Sequence, residues 1–123
     1  MSHPIKLINQ SNAQKGGIKV KFCDDFLSRL RGFTFRKNLA FDEGLILAEK
    51  RDGRIDTSIH MLFVWTDLAI FWVDSSLIVV DKTLAKSWHP YYASQAPSRY
   101  VLELHPSQLD FLQVGDRIEF SNE

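Results

Sequence analysis

The run over residues 58–74 constrains the fold more than any other part of the chain. It is dense in aromatic and β-branched residues, the types that fit a pleated, half-buried sheet surface. His60 and Asp67 are set inside it, and polar groups placed in a core are costly without a partner. The block reads as the centre of a sheet, split into strands over 57–64 and 68–74. A turn at Asp74, Ser75 and Ser76 then leads into a hairpin partner over 77–80.

Shorter signals surround this block. Residues 5–8 read as an edge strand, and residues 1–4 as a flexible terminus. Over 17–23 the chain alternates, with Ile18, Val20 and Phe22 on one side and Lys19 and Lys21 on the other, the pattern of a half-buried strand. Asp24 is placed to cap a short helix that buries Phe26, Leu27 and Leu30 and stops at Gly32. Residues 44–48, 99–104 and 117–121 supply further strands. Pro106 and Ser107 open a second short helix carrying Leu109 and Leu112. The two prolines between Trp88 and Pro97 make that stretch a loop. The expected architecture is α+β and mostly β: a compact closed or nearly closed, barrel-like antiparallel or mixed sheet with two short helices, forming one domain over residues 1–123.

Composition narrows the function classes. Fifteen Lys and Arg balance fifteen Asp and Glu, so the broad positive field of a nucleic-acid binder is missing and neither nucleic acid nor membrane is expected as a partner. One cysteine rules out an internal disulfide and argues against a thiolate zinc site. The first twenty residues lack the apolar segment of a signal peptide, and the longest apolar runs are too short to span a bilayer. A cytoplasmic location follows as the expectation. The histidines His3, His60, His89 and His105 are scattered, without metal-ligand spacing, so neither a metal nor a cofactor is expected. Cys23 stands beside Asp24 and Asp25, negative charge that suppresses a thiolate, and is not read as a nucleophile.

Three segments, in this order, resemble a known family. They are Ser28-Arg29-Leu30-Arg31-Gly32-Phe33-Thr34-Phe35-Arg36, then Ser58-Ile59-His60-Met61 through Asp74, and last Arg99-Tyr100-Val101-Leu102-Glu103-Leu104 with Val114-Gly115-Asp116-Arg117. Together they resemble domain-of-unknown-function family 192, also called uncharacterised protein family 0127, over nearly the whole chain. The resemblance implies a compact, mostly β domain of this length and carries no biochemical activity with it. The family's pattern puts a proline, and an aspartate two residues later, in the central strand pair. The matching positions here are Asp67 and Ala69, so an acidic group at Asp67 would act from a different place.

Few residues remain to carry function. His60 is a base or ligand contact if it lines a groove, with Asp67 orienting its ring; otherwise it is a half-buried histidine bonded to the backbone. Arg36 lies beyond the first expected helix, where helix-dipole complementarity does not account for it, and its guanidinium suits a carboxylate or phosphate. Arg99 and Glu103 share a strand face and read as part of a cross-strand ion-pair network. Trp88, His89, Tyr91 and Tyr92 form an aromatic loop able to stack a sugar or a nucleobase. The reading that fits best is a non-catalytic binding module for a small ligand or peptide, contacted by Arg36, His60, Trp88, Tyr91 and Arg99. The alternatives are a hydrolase using His60 and Asp67 as an acid–base pair, and a protein–protein interaction module pairing through the edge strand over 5–8. The chain is expected as a monomer or homodimer whose partner is a small ligand or a protein.

Overall fold

The computed structural model describes residues 2–12, 16–23, 44–54, 57–59, 61, 64–89 and 91–121. Seven strands are present: β1 (Ser2–Asn9), β2 (Gly17–Cys23), β3 (Gly44–Gly53), β4 (Leu68–Val73), β5 (Val79–Ala85), β6 (Ser98–Leu104) and β7 (Ile118–Ser121). They form a single sheet in the order β5-β4-β6-β3-β2-β1-β7. All neighbours are antiparallel except β2 and β3, which run parallel with Cys23 opposite Leu47. A parallel pair needs a long crossover between its strands, and residues 24–43 supply the length.

β6 is an interior strand, paired on both sides. Leu102 lies between Ile46 of β3 and Phe71 of β4, and Val101 between Leu47 and Trp72. Around β4 the sheet is apolar on both faces, which is why this strand reads as a continuous hydrophobic run rather than strict alternation. On the inner face Leu7, Val20, Ile46, Phe71, Leu102 and Leu104 are buried together with Phe111 and Leu112 of the segment after β6. On the outer face Leu45, Leu47, Ile70, Trp72 and Val101 are covered by Ile59, Met61 and Val64. Each fully buried side chain of this size contributes about 1.5–3 kcal/mol.

The structure corrects the α+β expectation. It is nearly all sheet, curled into a half-barrel instead of closing. Its two margins meet at one bridge, between Ile78 before β5 and Arg117 before β7. The helix expected after Asp24 lies outside the described residues. The one expected after Pro106 is a single 3-10 turn over Pro106–Gln108, capped by the His105 side chain, which accepts from the Ser107 N–H. Leu109 and Leu112 at i and i+3 suit one tight turn as well as a helix, so their spacing did not separate the two.

Two strand expectations also change. β1 begins at Ser2 and is an interior strand, paired with β2 over Ser2–Ile8 and with β7 over Lys6–Asn9. Residues 5–8 are therefore not a free edge able to recruit a partner. The described residues of the stretch 57–64, which are 57–59, 61 and 64, form no strand of the sheet: Ile59 makes an isolated bridge to Tyr92, and these residues lie as a strap across the outer face. Alternating apolar residues satisfy a strap laid on a sheet as readily as a strand within one.

Candidate functional site

Strap and loop form one outer layer, built by paired backbone. Ile59 and Tyr92 exchange two N–H···O bonds of 2.8 Å, the Met61 N–H donates to the His89 carbonyl at 2.9 Å, and the Trp88 N–H donates to the Met61 carbonyl at 2.8 Å. The strap is fastened at its start by the buried Trp72, whose indole N–H donates to the Thr57 carbonyl at 2.8 Å. Thr57 in turn donates from its hydroxyl to the Gly53 carbonyl and accepts from Ser98. A buried indole needs such an acceptor, and here the need fixes where the strap begins.

Asp67 organises the other end. One carboxylate oxygen accepts the Ser87 N–H at 2.9 Å, and the other meets the Lys86 ammonium at 3.4 Å. The Ser87 hydroxyl donates to the Val64 carbonyl at 2.6 Å, and the Lys86 N–H donates to the Tyr92 hydroxyl at 2.9 Å. These bonds hold a tight turn in which the His89 N–H reaches the Lys86 carbonyl. Its third residue, Trp88, has φ of 66°, the left-handed region where such turns favour glycine. A bulky side chain there costs on the order of 1–2 kcal/mol.

The outcome is an exposed aromatic corner. The Trp65 and Trp88 rings meet edge to face, with centroids 5.3 Å apart and planes at 86°. Trp65 is 49% exposed, Trp88 41% and Tyr91 57%. In the same loop the His89 and Tyr92 rings pair at 4.6 Å between centroids, their planes tilted by 36°.

The structure brings Trp88, Tyr91 and Asp67 into this layer and leaves Arg99 outside it. Arg99 donates from Nε to the Glu49 carbonyl at 2.8 Å, and its guanidinium lies 5.1 Å from the Tyr100 ring centroid. Glu103, read with Arg99 as part of a cross-strand ion-pair network, is buried at 6% exposure in β6, between Leu45 and Ile70. Arg36 and His60 lie outside the described residues. Among the described residues no three His, Cys, Asp or Glu side chains converge as a metal would require, and no helix is long and apolar enough to cross a membrane.

Trp65 is the exposed aromatic of this corner that sequence reasoning did not single out. It sits within the apolar block and was counted with the core. The available signal was its place at the polar break before Thr66 and Asp67, where the buried run ends.

A half-barrel sheet with a filled concave face and an aromatic layer strapped across its convex side defines the class of protein. Within that class, residues 7–120 match the model of DUF192, described as an uncharacterized ACR, and the chain belongs to this family. It is 34% identical to a UPF0127 protein of Thermococcus kodakarensis over 94% of this chain and 73% of the relative. It is 31% identical to a UPF0127 protein of Pyrococcus furiosus over 94% and 97%. Among solved structures, a candidate transcription regulator from Sinorhizobium meliloti superposes with a TM-score of 0.81 at 21% identity, covering 98% of this chain and 94% of that one. A protein of unknown function from Novosphingobium aromaticivorans superposes with a TM-score of 0.77 at 18% identity, covering 96% and 84%. At these identities the two structures share the fold.

Proposed function

We propose that this chain is a non-catalytic binding module that takes a small ligand on its outer layer, against Trp65, Trp88 and Tyr91. The observation that carries the reading is Trp88. A bulky residue kept in a left-handed backbone conformation, with its ring partly in water, costs stability twice, and such strain concentrates at functional positions. The Trp65 and Trp88 rings, in contact and both exposed, also form the kind of apolar surface that marks binding sites. Among the described residues the inner face is filled by Leu7, Ile46, Phe71, Leu102, Leu104 and Leu112, all fully buried. Asp67 holds the loop through Ser87 and Lys86, a supporting role rather than that of a free acid or base.

Native mass spectrometry of freshly purified protein, compared with the same sample denatured, tests this. The expected result is an additional non-covalent mass on the wild type that Trp88→Ala, still folded by circular dichroism, has lost. The same mass retained on Trp88→Ala, or a bare wild type, contradicts the reading.

A further inference from the structure

We infer that the ligand class of the Trp65–Trp88 corner is an uncharged sugar ring, an inference that rests on the binding-module reading above. Two rings at 86° with centroids 5.3 Å apart present a face and an edge at right angles. A pyranose has a matching shape: a face of C–H groups that packs on an aromatic surface, and an equatorial rim of hydroxyls that each donate and accept. The polar groups beside the corner come as a balanced pair. Lys86 and Asp67, two residues from Trp88 and Trp65 respectively, stand 3.4 Å apart with side chains 62% and 36% exposed. Ammonium donors next to carboxylate acceptors suit hydroxyl groups, which use both. An anionic ligand would meet the Asp67 carboxylate and a cationic one the Lys86 ammonium, so the pair selects against net charge in either direction. Tyr91, the most exposed of the three aromatic residues, adds a phenol that both donates and accepts.

Saturation-transfer NMR on the full chain provides the test. The probes are methyl β-glucopyranoside, maltose and cellobiose as neutral sugars, with glucuronate, glucose 6-phosphate and adenosine beside them. Transfer to the ring C–H protons of at least one neutral sugar is expected, with none to the two anions. It should be lost in Trp88→Leu, which keeps apolar bulk without an aromatic face, and in Trp65→Leu should the first variant fold poorly. Transfer to adenosine alone, or to the charged sugars in preference to neutral ones, overturns the sugar assignment while leaving the binding module standing. Silence from every probe also overturns the sugar assignment; an additional mass on the native wild-type protein would then preserve the binding reading, and a bare protein would remove both.

Discussion

Trp88 concentrates the argument at the residue scale. Its left-handed backbone predicts an inverted order of stability between two substitutions. Trp88→Gly relieves the strain that Trp88→Ala retains, so the glycine variant should be the more stable by about 1 kcal/mol in urea unfolding, against the usual cost of glycine. An alanine variant equal or superior would mean that the turn relaxes and stores no strain. Asn9 makes a separate prediction. It is fully buried, donates to the Phe111 carbonyl and to Asp116, and accepts the N–H groups of Ser11 and Asn12. Asn9→Ala strands those groups and should cost about 1–3 kcal/mol. Gly44→Ala should likewise destabilise, since a Cβ there overlaps the Leu104 side chain and a Val20 methyl, at a cost of about 1–3 kcal/mol by the same unfolding assay. The exposure of Trp88 and Tyr91 was legible because prolines and aromatics together mark a loop. Asn9 was not, since its partners Phe111 and Asp116 lie at the far end of the chain.

At the scale of elements, the segment after β6 depends on one side chain. Lys82 of β5 sends its ammonium to the Leu109 and Leu112 carbonyls at 3.0 and 3.2 Å and to the Gln113 side chain at 3.0 Å. It thereby pins the turn that carries Phe111 and Leu112 into the inner core. Lys82→Met should leave those carbonyls without their charged donor and raise amide hydrogen exchange over residues 106–113, while β6 keeps its protection. Equal exchange in the two proteins would show that the apolar contacts alone hold the segment. The outward margin of β5 is protected in a related way: the Asp81 carboxylate accepts the Lys82 N–H, and the Tyr92 hydroxyl accepts the Lys86 N–H. Polar groups that occupy outward amides blunt a strand margin against pairing with another chain. Strands 17–23 and 99–104 were legible from alternation, whereas 57–64 was read as a strand, because a period says only which side is buried, and its described residues form a strap.

Over the whole molecule, the sheet order joins segments far apart in sequence and places the chain's last strand against its first. No local pattern encodes that order, because alternation identifies a strand without naming its neighbour. The curl leaves the concave face full of side chains and puts the aromatic corner on the convex layer, so the proposed ligand would sit outside the core. The three tryptophans separate these regions: Trp65 and Trp88 are exposed, while Trp72 is buried with its indole bonded to Thr57. Their indole N–H signals in a nitrogen-15 NMR spectrum, recorded on freshly purified protein and again after unfolding and refolding to strip any ligand, test the central claim most directly. The account predicts that the Trp65 and Trp88 signals move and that of Trp72 stays fixed. A shift confined to Trp72, or three signals unchanged between a ligand-bearing and a stripped sample, would contradict it.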